Sequence, residues 1–389
     1  MANSLVRFLG FETGDLSEVN AVTTGSGNTV AVSTAQVNAQ APSAYSCHVK
    51  STNSGANASF NISPLNADGT LNTTNANLTT PFLRGYFYLV TVTNTAGNGL
   101  QLTPLIRFIN SSGNAVTECF LYVNSSKQLV LLDVGGTYHT GTTVLSLNTW
   151  YRLDLTINTS TGTWAVRIND STELSGSHSG AATIYQIQIG GQSSANFEFY
   201  VDDLWLDSLA YPPDGGCAVF TANSNGFYTA WSGTASNAIP PSATGALTDS
   251  TSGDIRTVEI SPNIAGGASV NAIKSLAYVK AASLGNSLAV HLRSGTSDND
   301  TSGATNLSTT GYTLLEKGFL TDPATSLPWT ISGANAAQPG VKNVTAGSGT
   351  SSCEAIYLMA DFVGTTGPSS ALLIPPFTYR RRFEPAIFE

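Results

Sequence analysis

The stretch Trp150-Tyr-Arg-Leu-Asp-Leu-Thr-Ile-Asn158 decides the fold class of this chain. Every second residue from Tyr151 to Ile157 is apolar or aromatic, and Trp150, Arg152 and Asp154 share the opposite side. A period of two predicts a β-strand with one buried face. The composition agrees, because charged residues make up 11% of the chain, against about 25% in a typical soluble domain. Thr, Val, Ile, Tyr and Phe alternate instead with Asn, Gly and Ser, the residues of strands and turns.

Short polar loops connect such runs into hairpins. A second alternating run, 164–169, begins after the loop 159–162, so the two runs are predicted to pair antiparallel. Asn124-Ser-Ser126 turns the chain in the same way between 119–123 and 128–134. Hairpins with one apolar face need a second sheet to cover it, which favours β-sandwiches or jelly rolls. No segment carries an apolar repeat at helical spacing, so we predict an all-β protein.

A chain of 389 residues suggests two such domains in tandem. The break is expected at Tyr211-Pro-Pro-Asp-Gly-Gly216, where prolines and glycines interrupt any strand. We therefore predict a jelly-roll domain over 1–210, a linker over 211–216, a second β-sandwich over 217–374 and an extended arm over 375–389. The strands expected in the second domain are Ile255–Ile260, Ala272–Lys280, Ser287–Arg293, Tyr312–Leu315 and Ala355–Phe362.

The charge balance excludes some functions. The net charge is −9 and the pI about 4.9, whereas nucleic-acid binding needs a basic surface. The N-terminus lacks a basic region followed by a long apolar run, so no signal peptide is predicted. No stretch approaches the roughly 18 apolar residues of a membrane span. We expect a soluble protein, made in a cytoplasm, with neither nucleic acid nor membrane as partner.

Three segments, by their order, resemble the concanavalin A-like (laminin-G-like) jelly-roll superfamily. They are Phe8-Leu-Gly-Phe-Glu-Thr-Gly14, the hairpin around Trp150 and Trp164, and Tyr200-Val-Asp-Asp-Leu-Trp205. In that superfamily an N-terminal strand beginning Phe-Glu-x-Gly commonly lies beside a closing strand with an Asp-Asp-aliphatic signature. The resemblance covers roughly residues 5–208. It implies that the first and last strands of the first domain are neighbours.

The second half resembles virion and tail-associated proteins of tailed bacteriophages. The segment Leu320-Thr-Asp-Pro-Ala-Thr-Ser-Leu-Pro-Trp-Thr330, followed by Asn335, Gly340 and Val341, carries this likeness. It implies a non-enzymatic structural component of the virion, such as a capsid decoration protein, head fibre, or neck or tail accessory protein. Synthesis in the host bacterial cytoplasm, other virion proteins as partners and a homo-oligomeric state would follow.

The C-terminal arm is the expected docking element for such an assembly. Prolines keep it extended, and its aromatic side chains would be costly to leave in water. Aromatic residues mixed with arginine are typical of protein interfaces. The arm residues are Phe377, Tyr379, Arg380, Arg381, Arg382, Phe383 and Phe388.

No catalytic constellation is evident. Lectin-like jelly rolls also occur as glycoside hydrolases, which need two carboxylates across a cleft, but the usual Glu-x-Asp-x-x-Glu strand is absent. Asp202 and Asp203 are adjacent, so regular strand geometry would send them to opposite faces. We therefore predict that the chain is not an enzyme, and polysaccharide hydrolysis is the least favoured alternative.

Calcium is the only cofactor for which the sequence offers candidates. Asp202 is either a structural residue at a strand end or a calcium ligand. Asp298 and Asp300 begin Asp298-Asn-Asp-Thr-Ser-Gly303, which has oxygen ligands at alternate positions and then a glycine. Position twelve of that loop is Thr309 in place of a bidentate Glu, so a solvated hairpin loop is the alternative.

Two tryptophans are candidates for carbohydrate binding. Trp150 shares the polar face of its strand, and Trp231 lies in a loop-like setting, so both could be exposed. Trp164 alternates in phase with Val166 and Ile168 and is expected in the core. An exposed tryptophan would support the alternative function, a lectin-like module that binds host surface glycans.

Overall fold

The computed structural model describes residues 5–38, 43–52, 57–72, 78–92, 102–110, 119–178, 183–192, 196–239, 245–261, 264–265 and 268–364. In these ranges the regular secondary structure is almost entirely antiparallel β-sheet, which confirms the all-β prediction. The exceptions are one short helix, α1 (Ile331–Ala336), and a 3-10 turn at Ala235–Ala238. Neither of these described helices is long and apolar enough to cross a membrane. The predicted arm, 375–389, lies outside the described residues.

The first sandwich contains two sheets. Its strands are β1 (Leu5–Leu9), β2 (Ala21–Thr24), β3 (Thr29–Ser33), β4 (Ser46–Ser51), β5 (Asn57–Ile62), β6 (Phe82–Thr91), β7 (Leu102–Asn110), β8 (Cys119–Asn124), β9 (Gln128–Leu132), β10 (Tyr138–Val144), β11 (Trp150–Ile157), β12 (Thr163–Ile168), β13 (Ser171–Ser177), β14 (Ile184–Gln192) and β15 (Phe197–Asp207). One sheet has the order β13-β12-β11-β6-β15-β4-β3, with β1 also paired to β15; the other has the order β10-β9-β8-β7-β14-β5-β2.

The alternation of apolar and polar residues along β11 and β12 shows which face of these strands lies in the core of the first sandwich. Leu155 pairs with Val166 across the predicted hairpin, and both are buried between the sheets. Trp164 is buried with them, as predicted. Burial of such side chains contributes about 1.5–3 kcal/mol each. The opposite parity of β11 points Trp150 and Arg152 away from this core, onto the outer face of the eight-stranded sheet.

The first and last strands of the first sandwich are neighbours, as the jelly-roll resemblance implies. Strand β1 pairs antiparallel with β15, and Phe8 lies opposite Trp205. Between Asp202 and Trp205 the pairing of β15 with β6 shifts register, and Asp203 has a φ of 50°. This bulge, which alternation alone does not predict, re-aims the side chains around it.

The second sandwich is a single nine-stranded sheet. Its strands are β16 (Gly216–Thr229), β17 (Leu247–Asp249), β18 (Ile255–Ser261), β19 (Ser269–Lys280), β20 (Ser287–Ser294), β21 (Ser297–Asp300), β22 (Thr313–Phe319), β23 (Gln338–Thr345) and β24 (Ser351–Val363). Their order is β21-β20-β23-β18-β16-β24-β19-β22, with β17 paired to β24. Val290 of β20 and Leu315 of β22 share one core although they lie near opposite edges, so the sheet folds over itself. All five strands predicted here are present, whereas β16, β17, β21 and β23 were not predicted.

An apolar interface joins the two sandwiches. Along β24, Ile356 and Leu358 face the cores of the second sandwich. Tyr357 and Met359 point the other way and pack in one cluster with Trp205 of the first sandwich. Both faces of β24 are therefore buried, which explains its nearly continuous apolar sequence.

Ion pairs cross the same interface. Lys274 of β19 bonds Glu18 at 2.6 Å and Glu316 at 2.8 Å, and Arg7 of β1 also pairs with Glu316. These side chains are almost completely buried. The two cations lower the pKa of Glu316 against the opposing effect of its burial. Removing one partner of such a buried pair would leave an uncompensated charge, so the contact between the sandwiches is sensitive to substitution at these positions.

Residues 211–216, predicted as a linker, are bonded to both sandwiches. The Pro212 carbonyl accepts a hydrogen bond from Arg152 at 2.7 Å, and the Pro213 carbonyl accepts one from Arg84 at 2.6 Å. The Asp214 carbonyl accepts one from Asn271 of β19 at 2.7 Å. Strand β16 then begins at Gly216, the last residue of the predicted linker.

Candidate functional site

Four aromatic side chains form a row across the outer face of the eight-stranded sheet. This aromatic row consists of Trp150, Tyr88, Tyr200 and His48. Ring centroids are 5.4 Å apart for Trp150 and Tyr88 and 6.1 Å apart for Tyr88 and Tyr200. Tyr200 and His48 stack at 4.5 Å with 11° between their planes. All but Tyr200 are half-buried, so the row has a surface that a ligand could cover.

Strand register produces this row. Tyr88 of β6 is the direct cross-strand partner of both Trp150 on β11 and Tyr200 on β15. Tyr200 is in turn paired with His48 on β4. Directly opposed residues have their Cβ atoms about 4.5–5.5 Å apart on the same face. Four neighbouring strands therefore each contribute one ring at the same level.

Charged residues end the row at β4. Glu198 bonds His48 Nε2 at 3.0 Å and Lys50 Nζ at 2.9 Å. Burial of the carboxyl tends to raise its pKa, but the hydrogen bonds from Lys50 and His48 prevail and lower the pKa of Glu198. The carboxylate thereby orients the His48 ring beneath Tyr200.

At its other end the row borders a cleft of about 260 Å³. The cleft is lined by Asn38, Tyr86, Trp150, Arg152, Asn169, Asp170 and Asp214. Tyr86 and Arg152 are a cross-strand pair two residues along from Tyr88 and Trp150, so the cleft continues the outer face directly. An aromatic wall with several convergent polar groups is typical of ligand sites.

A tight hairpin turn supplies two of the lining residues. Asn169 and Asp170 connect β12 to β13 with φ values of 47° and 69°. Two successive positive φ angles fit a type I′ turn, for which Asn and Asp are favoured. Asn169 Oδ1 also accepts the Arg152 backbone N–H at 3.0 Å, which holds the turn against β11.

Arg152 is the central cation of the cleft. Its Nε bonds Asp154 at 3.1 Å, and its Nη1 lies 3.0 Å from Asp170 and 3.6 Å from Asp214. Arg152 and Asp154 are buried, and burial raises the pKa of Asp154 against the opposing effect of Arg152. The side chain of Arg152 is 4% exposed, against 57% for Asp170 and 48% for Asp214. The surface offered to a ligand is therefore acidic, with its counter-charge underneath.

A buried acidic cluster, Glu12, Asp202 and Asp203, lies behind Asn38. The Asn38 backbone N–H donates to Asp202 at 3.1 Å, and its side-chain amide donates to Asp203 at 2.6 Å. Ser43 donates to Glu12 at 2.6 Å and to Asp202 at 3.1 Å. Burial raises the pKa of Glu12 and of Asp202 well above their usual range and that of Asp203 to about 7.

Comparison with known proteins assigns this chain to no family. No protein-family model and no curated protein matches it. Among solved structures, a sialidase aligns with 53% of this chain and 19% of its own, with 8% identity and a TM-score of 0.36. The botulinum neurotoxin serotype D binding domain aligns over 82% of this chain and 98% of its own, with 14% identity and a TM-score of 0.36.

A third solved structure, the Caenorhabditis elegans galectin LEC-6, aligns over 38% of this chain and 88% of its own, with 11% identity and a TM-score of 0.25. The chain spans about a fifth of the length of the sialidase. At such identities and TM-scores these similarities carry no argument about the function of this chain.

The two predicted carbohydrate-binding tryptophans have different environments. Trp150 is half-buried and belongs to both the aromatic row and the cleft. Trp231 is only 1% exposed and lies in the core of the second sandwich, where its Nε1 donates to the Asp254 carbonyl at 3.2 Å. The expectation that Trp231 is exposed is wrong, because the loop that carries it folds over that core.

Asp202 and Asp203 do not behave as neighbours on a regular strand. The β15 bulge breaks the expected alternation, so both carboxylates bond Asn38 and do not diverge to opposite faces. Asp202 accepts from Asn38, Ser43 and the Asp203 N–H. N–H and O–H donors thus occupy the carboxylate in place of a cation, and the arrangement does not favour the predicted calcium ligand.

The other two calcium candidates are engaged by cations of the chain itself. They lie on β21, which forms a hairpin with β20. Asp298 bonds Arg293 at 3.0 Å, and Asp300 bonds His291 and Lys342 at 2.6 Å each. Hydrogen bonds from these partners lower the pKa of Asp300 against its partial burial. Within the described ranges no group of three or more His, Cys, Asp or Glu could hold a metal ion.

Most of the site was not predicted from the sequence. Tyr86 and Tyr88 alternate with the buried Phe87 and Leu89, so their phase was available as a signal for the outer face. Tyr200 and Arg152 carry the same kind of signal. Asp170 and Asp214 carry none, because they belong to connecting segments.

Proposed function

We propose that this chain is a non-enzymatic glycan-binding protein whose ligand lies along the aromatic row and enters the adjoining cleft. The observation that carries the proposal is the aromatic row itself, with one ring from each of four neighbouring strands. Aromatic side chains that remain half-exposed at a surface provide an apolar platform. The C–H faces of pyranose rings pack well on such platforms, and the sugar hydroxyls then remain available for hydrogen bonds.

The dimensions of the face suit an oligosaccharide. Three spacings between strands of about 4.8 Å give a row of about 14 Å, enough for roughly three sugar rings. Beyond Trp150 the ligand would meet Asn38 and Asn169, whose amides can donate and accept hydrogen bonds, together with two carboxylates. A combination of apolar platform and convergent polar groups binds and orients a small ligand.

The cleft is better suited to binding than to hydrolysis. Glycoside hydrolysis needs one carboxyl group as an acid and a second as a base or nucleophile. The two exposed carboxylates of the cleft, Asp170 and Asp214, are both in ion-pair distance of the same Arg152 guanidinium. Both carboxylates are thereby engaged with the same cation, which favours a binding role.

A glycan array followed by titration calorimetry tests the proposal. We expect a defined set of oligosaccharides to bind and Trp150→Ala to weaken the best of them about thirtyfold, as for a hot-spot tryptophan. Phe227→Ala is the matched control, because Phe227 is 64% exposed on the second sandwich and should leave affinity unchanged. An empty array would contradict glycan binding, and equal affinity for Trp150→Ala would contradict the placement of the ligand on the aromatic row. Release of reducing ends would contradict the non-enzymatic assignment.

The location that we propose for this protein is the bacteriophage particle. Support comes from the resemblance of 320–341 to tailed-phage virion proteins. Trp329 of that segment is buried and donates to the Phe319 carbonyl at 3.0 Å, so the pattern encodes packing and not chemistry. The charged interface between the sandwiches also suits a rigid structural part. Other virion proteins, further copies of the chain and a host surface glycan are the proposed partners.

Quantitative mass spectrometry of purified particles tests this location. A copy number that scales with the major capsid protein would support a decoration role, and a few copies would support a neck, tail or fibre position. Absence from the particles would contradict the proposal. Truncation after residue 374 should abolish incorporation, because the arm 375–389 is the proposed docking element.

A further inference from the structure

The second sandwich supplies none of the residues that line the cleft, but it is connected to two of them, to Asp214 directly and to Asn38 through Asp203. We propose that the second sandwich is the positioning element of the cleft and sets its affinity for glycan without touching the ligand. This inference rests on the proposed glycan binding. It gives the second sandwich a role in ligand binding.

Asn271 of β19 makes the first connection. Its side-chain amide donates to the Asp214 carbonyl and to Asp361 Oδ1, both at 2.7 Å. Asp214 in turn presents its carboxylate to the cleft and accepts a hydrogen bond there from the Tyr86 hydroxyl. The backbone of this cleft residue is thus held from the second sandwich.

Asp361 of β24 makes the second connection. Its carboxylate pairs with Arg84, whose Nη1 donates to the Pro213 carbonyl at 2.6 Å. The next glycine, Gly215, has a φ of 151°, and a Cβ there would lie 2.6 Å from both Asn271 Nδ2 and Asp361 Oδ1. The close approach of residues 213–215 to β19 and β24 therefore depends on a residue without a side chain.

Cys217 makes the third connection, on the opposite side. Its backbone N–H donates to Asp203 Oδ1 at 2.6 Å, and Asp203 Oδ2 accepts from the Asn38 side chain at 2.6 Å. Asn38 lines the cleft. Two lining residues, Asn38 and Asp214, are therefore held through groups of the second sandwich.

Such support lowers the cost of binding. A cleft whose polar groups are already held in place loses less conformational freedom when a ligand arrives. Release of Asp214 would let the wall move away from Tyr86 and Arg152. The affinity for glycan would then fall although every residue that touches the ligand remained.

Asn271→Ala in the full chain tests the inference. We expect about five- to tenfold weaker binding of the best array ligand, which corresponds to the loss of one or two hydrogen bonds. Amide hydrogen exchange within 211–215 should become faster. Asn299→Ala is the matched control, since it removes the same side chain from β21, six strands away in the sheet order. Gly215→Ala should also weaken glycan binding, because the added Cβ would lie too close to Asn271 and Asp361.

The outcomes separate the two proposals. If the unaltered chain binds no glycan on the array, the proposed function fails, and the exchange measurement alone still decides whether the second sandwich holds residues 211–215. If the unaltered chain binds and Asn271→Ala and Gly215→Ala both bind equally well, the positioning role is overturned. Unchanged exchange in 211–215 of both variants overturns it as well.

Discussion

Arg84 and Asp361 lie 277 positions apart in the chain and form a completely buried ion pair between the two sandwiches. Arg84 is on β6, beside the strand that carries Trp205, and its guanidinium lies 5.3 Å from the centre of the Trp205 ring. The pair is thus enclosed by the apolar cluster that joins the halves of the chain. A charge in such a place is tolerated only when its partner is present, which makes the pair sensitive to substitution.

Asp361→Asn should destabilise the protein by about 3–5 kcal/mol, because it leaves the Arg84 guanidinium buried without a counter-charge. Urea unfolding measures the effect. The control is Lys50→Met, which removes one partner of the more exposed Lys50–Glu198 pair and should cost no more than about 1 kcal/mol. Equal effects of the two substitutions would show that the interface between the sandwiches does not depend on this pair.

Trp231→Ala should cost about 3–5 kcal/mol of unfolding free energy, because it opens a cavity in the core of the second sandwich. Trp150→Ala should cost much less, since Trp150 is half-buried on an outer face. The two substitutions remove the same side chain, so thermal unfolding compares the environments directly. Similar losses would contradict the distinction between a core and a surface tryptophan.

Asp203 should make stability depend on pH. Burial raises the pKa of Asp203 to about 7, against about 4 in an unfolded chain. Between these two pKa values the folded protein binds more protons than the unfolded chain. The contribution of Asp203 to the free energy of unfolding is therefore complete below about pH 4 and is lost as the pH rises through about 7. From about pH 4 to about pH 8 the free energy of unfolding of the unaltered chain should fall by on the order of 3 kcal/mol relative to that of the Asp203→Asn variant.

Chemical unfolding of both chains across that range measures the difference. Asp202 acts in the same direction, because its burial, together with the Asp203 charge, raises its pKa. Parallel stability curves would mean that folding leaves the pKa of Asp203 unchanged, and would contradict the prediction.

The exposed carboxylates of the cleft should select against acidic glycans. Asp170→Asn removes one of them while Arg152 remains beneath, so the ratio of affinities for a uronate-containing and a neutral oligosaccharide should rise about three- to tenfold. Calorimetry at low salt gives this ratio. Glu259→Gln, an exposed change on the second sandwich, should leave it unaltered. An unchanged ratio for Asp170→Asn would place the ligand outside the cleft.

Alternation along the strands was sufficient to predict the fold class and the faces of individual strands. The hairpin of β11 and β12, the core position of Trp164 and the outer position of Trp150 all follow from it, since side-chain parity is a local property of an extended chain. The sequence of β24 also carries a signal for the interface between the sandwiches. Residues Ala355–Phe362 are apolar on both faces apart from Asp361, the pattern of a strand buried on two sides.

The position of Trp231 and the bulge at Asp203 could not be predicted in this way. No alternating pattern surrounds Trp231, and its burial depends on distant side chains that form the same core. The bulge depends on the pairing of β15 with β6, which shifts register after Asp202. Both are consequences of contacts between segments that are far apart in the chain.

The sequence alone determined that this is an all-β protein with tandem sandwiches and that Trp150 faces away from the core. Only the tertiary structure decided which residues accompany it. The aromatic row requires residues 48, 88, 150 and 200 to meet at one level of four strands, and the cleft adds Asp214 from the connection to the second sandwich. Strand parity is set by the local backbone, whereas register and interface contacts are set by the burial of the whole apolar surface at once.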